Sequence, residues 1–152
     1  GVVEQIGTPG DVYGRPASRF VAEFIGAPAM NILDGVVSAD GAAVAIGEAR
    51  LALPAPLPGE AGRPVVVGLR PEQLVPADGA GSLGLAVEWL ELLGADTVAH
   101  GRLADGQAMT LRLPGDTDVA AGDRLALTVP AAAVHLFCPV DGCRLWKMVE
   151  AR

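Results

Sequence analysis

Few residues of this chain have the types and spacing that catalysis or metal binding requires. The two histidines, His100 and His135, have no serine or cysteine in an arrangement typical of nucleophilic catalysis. Asp96 precedes His100 by four residues and Glu91 lies nearby, so on a helix these side chains would form a metal site. The segment has the pattern of a turn followed by a strand. We therefore favour a structural role, and keep an enzyme built on Asp96 and His100 as the minor alternative.

Two cysteines, Cys138 and Cys143, flank a predicted tight turn over residues 139–142. Facing each other across the turn, they would form a disulfide or supply half of the ligands of a soft metal. We favour two free thiols, because the chain has no other cysteine. Trp89 and Trp146 are interpreted as core or interface anchors rather than as a ligand cage.

The composition excludes several classes of function. The only lysine is Lys147, so the Gly-Lys-Ser/Thr loop that cradles nucleotide phosphates does not occur, and we predict no cofactor for this chain. Eleven basic against 18 acidic residues give a net charge of −7, which disfavours nucleic acid as a partner. No apolar run approaches the ~18 residues that span a bilayer.

The first 31 residues predict two short helices. Thr8 is placed to cap the first, with Pro9 at its first position, and this helix should stop before Pro16. The second should begin at Pro16 and end at Gly26. Its apolar residues fall in pairs four apart on one face: Phe20, Val21, Phe24 and Ile25. An apolar face this exposed predicts a partner surface.

From Ile32 onward the apolar residues alternate with a period of two. The predicted strands cover residues 63–69, 85–92, 109–113 and 125–129. Asp/Gly turns separate them, and residues 54–59 and 76–84 are predicted connectors. Short strands between tight turns predict an all-β small barrel or sandwich that follows a helical N-terminal arm.

Three stretches together resemble one protein family. Residues 3–31 are similar to the end of the nucleotide-binding domain in ATP-binding subunits of carbohydrate-type ABC importers. Residues 68–72, Gly-Leu-Arg-Pro-Glu, resemble a signature of the regulatory domain that follows, and residues 134–145 resemble its closing hairpin. Within the family, residues 92–102 are most similar to the glycerol-phosphate importer branch. Two departures are Gln73, where the family has His, and Cys138, where it has Asp.

The resemblance implies an OB-type barrel, the transport-associated domain, over residues 32–152. Residues 1–31 would be the C-terminal end of the ATPase domain, and a chain that begins without Met is expected to be part of a longer protein. The parent subunit would be cytoplasmic and peripheral at the inner face of the membrane, would bind ATP and Mg upstream, and would form a homodimer docked on membrane permeases. Inhibitory proteins or small anions are further implied partners.

Several residues are candidates for interface or regulatory roles: Arg70, Glu72, Asp96, His100, His135 and Phe137. Arg70 would reach a partner or an anion, or would pair locally with Glu72 in a structural corner at Pro71, and we favour the corner. We give nearly equal weight to two interpretations of the segment Asp96–His100, an interaction surface and a turn. His100 is the natural candidate for a pH response. Residues 146–152 are interpreted as a tail or an added edge.

The predicted function is a non-catalytic regulatory and dimerisation domain of an importer for glycerol-phosphate or a related sugar or polyol. The alternative is a barrel that senses a phosphate-like anion. Phe20, Phe24 and Ile25 are expected to pack against the ATPase domain.

Overall fold

The computed structural model describes residues 3–79 and 81–145. Two α-helices come first, α1 at Pro9–Gly14 and α2 at Arg19–Phe24. The strands that follow are β1 Asn31–Val37, β2 Ala43–Ile46, β3 Ala49–Ala52, β4 Pro64–Leu69, β5 Val75–Pro76, β6 Leu83–Leu92, β7 Asp96–Arg102, β8 Ala108–Pro114, β9 Arg124–Thr128 and β10 His135–Phe137. Short 3₁₀ turns occupy Pro71–Gln73 and Ala131–Ala133. No helix within the described ranges has both the length and the apolar character needed to cross a membrane.

Both helices of the arm begin at capping side chains. Thr8 Oγ1 accepts a hydrogen bond from the Asp11 amide at 3.1 Å, as the sequence predicts. The second helix begins at Arg19, and the predicted start at Pro16 was wrong. Ser18 has extended backbone dihedrals and its Oγ accepts from the Val21 amide at 3.3 Å, so it caps the helix two residues after Pro16.

The strands form two antiparallel five-stranded sheets. Their orders are β10–β4–β1–β2–β3 and β5–β9–β6–β7–β8. The inward residues of both sheets, such as Leu33 and Val67 from the first and Leu85 and Leu111 from the second, belong to one apolar core. The predicted all-β class is therefore confirmed.

A polar connection links the two sheets at one edge. The side chain of Asn31, at the start of β1, accepts from the Thr110 amide on β8 and donates to its carbonyl oxygen, both at 2.8 Å. The Gln107 side chain makes the same pair of bonds with the Asp34 backbone, at 2.7 and 3.1 Å. These side chains replace the strand pairing that would otherwise close the barrel.

The long strand β6 contains a bulge between Val87 and Trp89. Val87 faces the core, whereas Trp89 two residues later lies on the surface and is 52% exposed. Gly101 lies on β7 beside the bulge, where a Cβ atom would stand 2.1 Å from the Ala86 carbonyl oxygen. Only glycine permits this close approach of the two strands.

Strand boundaries differ from the sequence predictions at one connector. Residues 76–84 were predicted to be a connector, but Pro76 belongs to β5 and β6 already begins at Leu83. Leu83 pairs with Leu127 on β9, and this long-range pairing extends the strand beyond its recognisable alternation. The other connector, residues 54–59, contains no strand.

A second, smaller apolar cluster joins the helical arm to the first sheet. It comprises Ala22 of α2, Met30, Val66 of β4 and Phe137 of β10. The arm is thus packed against the barrel by its inward face.

Candidate functional site

Arg70 links the barrel to the helical arm. It follows the last residue of β4, and only 1% of its surface is exposed. Its Nη1 donates to the carbonyl oxygens of Ala22, at 3.2 Å, and Ile25. Its Nη2 donates to the Tyr13 carbonyl at 3.2 Å, and the guanidinium lies 4.2 Å from the centre of the Tyr13 ring. One side chain therefore holds both helices of the arm.

The position of Arg70 at the end of α2 has an electrostatic reason. The last carbonyl groups of a helix have no partner within it and carry partial negative charge, so a cation is favourable there. Among the described residues no carboxylate forms an ion pair with Arg70. Burial lowers the pKa of Arg70 from its usual value, but an arginine stays charged at neutral pH.

The predicted pairing of Arg70 with Glu72 was wrong. The Arg70 side chain points to the arm, whereas Glu72 is exposed and lies on the side of Arg112. Asp96, and to a lesser extent Glu72, raises the pKa of Arg112. The change of direction at Pro71, with a 3₁₀ turn directly after β4, is the structural corner that we favoured.

His135 and Phe137 lie on β10, next to the arm, and both side chains are buried. Arg144 Nη1 lies 2.9 Å from His135 Nδ1, which accepts its hydrogen bond. Burial, followed by the positive charges of Arg144 and Arg70, lowers the pKa of His135 to about 4. Phe137 belongs to the small apolar cluster under α2. The side chains of both residues therefore contribute to the arm junction and are not surface groups.

The outward face of the arm is apolar. Phe20 is 60% and Phe24 is 77% exposed, and their rings stack with centres 6.1 Å apart. Together with Ile25 and Val12 they line a groove of about 290 Å³ that residues 3–5 border. The structure thus leaves this face, where Phe20 and Phe24 were predicted to meet another domain, open within the described part of the chain.

Asp96 and His100 belong to two separate pairs on β7. Asp96 bonds Arg112 at 2.6 Å, and His100 Nε2 lies 3.1 Å from Glu91 Oε1. Four residues along a strand span about 13 Å, so the two side chains do not converge. Over residues 3–79 and 81–145 no group of three His, Cys, Asp or Glu side chains is arranged to hold a metal ion.

The sequence did not reveal that Trp89 stacks on His100. Their ring centres lie 3.8 Å apart and the planes differ by 3°. A cavity of about 240 Å³ adjoins the stack and extends to Asn31. The register shift at the β6 bulge brings these two rings into line, and the alternation pattern gives no sign of such a shift.

A second arrangement that sequence reasoning missed lies across the three strands β9, β6 and β7. Arg124 and Arg102 both pair with Ala86 in the strand register, one from each side. They line a groove of about 420 Å³ on the outer face of the second sheet. Arg102 also contacts Glu88 at 3.4 Å, so part of its charge is balanced. In the sequence, both arginines are simply polar residues in strands whose apolar and polar residues alternate. Only the pairing of β6 with β7 and β9 shows that they flank one groove.

Comparison with known families matches two consecutive parts of the chain. Residues 26–74 match the family described as "MalK OB fold domain", and residues 67–137 match the "TOBE domain" family. Together the two matches run from the end of the arm to the last strand, across both sheets. Residues 26–74 belong to the MalK OB fold domain family and residues 67–137 to the TOBE domain family.

Curated relatives of this OB/TOBE chain share one description. This chain is 48% identical over 147 residues to the "sn-glycerol-3-phosphate import ATP-binding protein UgpC" of Salmonella typhi. It is 50% identical over 147 residues to the protein of the same name from Cereibacter sphaeroides. The Yersinia pestis protein of the same name is 47% identical over 146 residues. These alignments cover 95% of the chain but only 40–41% of the relatives, so the chain spans less than half of their length.

A solved structure has the same fold. The cytoplasmic molybdate-binding protein ModG, with molybdate bound, superposes with a TM-score of 0.59 over 72% of this chain and 96% of its own, at 19% identity. With the two family matches, this likeness confirms the predicted OB-type barrel. The two matches overlap at residues 67–74, the segment that contains Arg70. The boundary between residues 1–31 and 32–152 stays a prediction.

The closing hairpin of the OB/TOBE domain carries the two cysteines. Both thiols are unbonded, as we favoured from the sequence. Cys138 occupies the position of an aspartate in the family pattern, but the turn still has a carboxylate acceptor, because Asp141 Oδ1 accepts from the Cys143 amide at 2.8 Å. Trp146 and the predicted tail over residues 146–152 lie outside the described residues.

Proposed function

We propose that this OB/TOBE chain is the regulatory, non-catalytic part of the ATP-binding subunit of an ABC importer. The substrate would be sn-glycerol 3-phosphate or a related polyol or sugar. The observation that carries the proposal is the identity of 47–50% to three proteins named for sn-glycerol-3-phosphate import, over nearly the whole chain.

The rest of the parent subunit would supply the chemistry. ATP and Mg would bind to its ATPase domain, which would lie in the part of the relatives that this chain does not cover. The subunit would work in the cytoplasm, held at the inner face of the membrane by its permease partners. The chain alone should not hydrolyse ATP, and measuring phosphate release from ATP by the purified chain tests this.

The apolar face of α2 would pack against the ATPase domain. Phe20 and Phe24 support this proposal, because two stacked and largely exposed aromatic rings are costly to leave in water. The test is capture of the separately produced N-terminal ATPase domain of a UgpC relative by this chain. The double variant Phe20→Ser/Phe24→Ser should lose capture, whereas Leu92→Ser/Leu93→Ser, at an equally exposed apolar pair, should retain it. Equal capture by both variants would contradict the proposed packing.

The chain would also associate with a second copy of itself. Leu92 at the end of β6 and Leu93 in the following turn are exposed apolar residues, and they support a contact face there, next to the candidate Asp96. Light scattering over a concentration series should approach twice 15.4 kDa. Leu92→Ser/Leu93→Ser should shift the equilibrium to the monomer, and Phe20→Ser/Phe24→Ser serves as the control. A monomer at every concentration would oppose self-association.

The second candidate function is the sensing of a phosphate-like anion. The groove between Arg102 and Arg124 favours it, since two guanidinium groups on the two strands that flank β6 are a suitable donor set for an oxyanion. Titration calorimetry with inorganic phosphate should give heat that Arg124→Ala abolishes. If the unmodified chain gives no heat with phosphate, the anion-sensing function is contradicted, and only the regulatory and dimerisation role remains.

A further inference from the structure

The hairpin after β10 places Cys138 and Cys143 directly opposite each other. Phe137 and Arg144 form an antiparallel bridge, so the next facing pair towards the turn is Cys138 with Cys143. The Cys138 amide donates to the Cys143 carbonyl oxygen at 2.8 Å, in agreement with this register. Cys138 is half-buried and Cys143 is exposed.

Residues that face each other on antiparallel strands are at the right distance for a disulfide. Their Cα atoms lie about 4.5–5.5 Å apart, within the range of about 4.4–6.8 Å that disulfides span. Facing residues also project to the same side of the ribbon. The Cys143 amide, and to a lesser extent the two thiol groups, lowers the pKa of the Asp141 carboxyl, so both cysteine side chains lie near this carboxylate. The Cys138 thiol also lies beside the Arg63 guanidinium.

The same hairpin holds the start of α2. The Arg19 amide, at the first residue of the helix, donates to the Gly142 carbonyl oxygen at 2.8 Å. The Arg144 amide donates to the Ala17 carbonyl oxygen at 3.0 Å, and Cys143 forms a bridge with Ser18, the residue that caps the helix. A change in the stiffness of the hairpin therefore acts directly on the attachment of the arm.

We propose that Cys138 and Cys143 form a reversible disulfide with a low-molecular-mass disulfide, such as oxidised glutathione, as the oxidant. The Cys143 thiolate, being exposed, attacks one sulfur of the oxidant and displaces one thiolate, which leaves a mixed disulfide on Cys143. The Cys138 thiolate then attacks the Cys143 sulfur and releases the second thiolate. The protein loses two protons and two electrons, and the oxidant is reduced to two thiols.

The disulfide would make the hairpin that binds the start of α2 more rigid. Closure of the ring from Cys138 to Cys143 restricts the local opening that would release the hydrogen bonds of Arg19 and Arg144 to their partners. The inference goes beyond the proposed function and stands or fails independently of it, because both the bond and its effect are measured on this chain alone.

The first test equilibrates the chain in buffers of defined glutathione ratio, quenches free thiols by alkylation and measures the intact mass. We expect a species that has lost two hydrogens and takes up no alkylating agent, with one bond mapped between Cys138 and Cys143. Cys138→Ser should instead accumulate the mixed disulfide on Cys143, because it lacks the resolving thiol. Persistent mixed disulfides or cross-linked pairs of chains in the unmodified protein would overturn the proposal.

The second test is amide hydrogen exchange on the reduced and oxidised chain. Exchange at the Arg19 and Arg144 amides should slow by about threefold or more on oxidation, since it reports opening of the hairpin. Amides of the distant β2–β3 hairpin should exchange equally in both forms. Unchanged exchange at Arg19 and Arg144 would refute the proposed effect on the arm. Cys143→Ser under the same oxidising buffer controls for effects of the buffer itself.

Discussion

Replacement of Arg70 by methionine is the most informative perturbation of the arm junction. Methionine retains much of the length and apolar volume of the side chain but none of its five donors. The variant therefore leaves the carbonyl oxygens of Ala22, Ile25 and Tyr13 without the guanidinium that now binds them. It also removes the contact of the cation with the Tyr13 ring.

The expected loss follows from the hydrogen bonds and the burial. Hydrogen bonds from a charged donor contribute about 1.5–3 kcal/mol each, so three bonds at the lower end of this range give a gross loss of about 5 kcal/mol. Removing a buried cation that has no carboxylate partner recovers a part of this, about 2 kcal/mol, since its desolvation no longer opposes folding. We expect Arg70→Met to weaken the attachment of the arm to the barrel by about 3 kcal/mol.

Urea unfolding and amide exchange of the arm measure the effect of Arg70→Met. Amides of α2 should lose protection while those of the central strands retain it, because the side chain holds the arm rather than the core. The matched control is Arg50→Met, which removes an exposed pair with Asp40 at 3.0 Å and should leave the unfolding free energy nearly unchanged, because water screens the pair. An unchanged unfolding free energy and unchanged protection of α2 in Arg70→Met would refute this account of the junction.

Three further predictions concern stability, each measured by urea unfolding. Burial depresses the pKa of His135 from 6.5 to about 4, so the unfolded chain takes up its proton first. The free energy of unfolding should therefore fall by about 3 kcal/mol as the pH drops from 6.5 towards 4, and His135→Asn should remove this pH dependence. The same pH dependence in His135→Asn and in the unmodified chain would contradict a depressed pKa at His135. Gly101→Ala should cost about 3 kcal/mol, because its Cβ would meet a carbonyl oxygen of β6 at 2.1 Å, whereas Gly84→Ala has its nearest contact at 4.0 Å and should be neutral; equal stabilities would count against the close approach. Asn31→Ala should cost about 2 kcal/mol by leaving the buried backbone bonds of Thr110 unmade, and a cost near zero would show that the sheets do not depend on this link.

The sequence predicted the elements whose signals are local. Thr8 is a capping residue followed by proline, and the strand of residues 109–113 alternates without interruption, so the structure has both where they were expected. The family resemblance was equally visible, because the motif at residues 68–72 is continuous in the chain. The strands β2 and β3 have four residues each and β5 has two, which is too short for a period to be recognised.

The candidate site was less predictable because its contacts join distant parts of the chain. The partners of Arg70 lie 45 to 57 residues away, and Glu72, two residues along the chain, was the wrong choice. Likewise the stack of Trp89 on His100 depends on a bulge that shifts the register by one residue. Residue types limit what a side chain is able to bind, but the tertiary fold decides which of the possible partners it meets.

The role proposed for this chain is that of the OB/TOBE part of an sn-glycerol-3-phosphate importer ATPase. The most direct measurement is uptake of labelled sn-glycerol 3-phosphate by cells whose UgpC, from Salmonella typhi, carries this chain in place of its own matching region. We expect uptake comparable to that of the unmodified UgpC, and a marked loss when the chain carries Phe20→Ser/Phe24→Ser. A chimaera that is produced and binds ATP, yet supports no uptake with the unmodified chain, would contradict the claim.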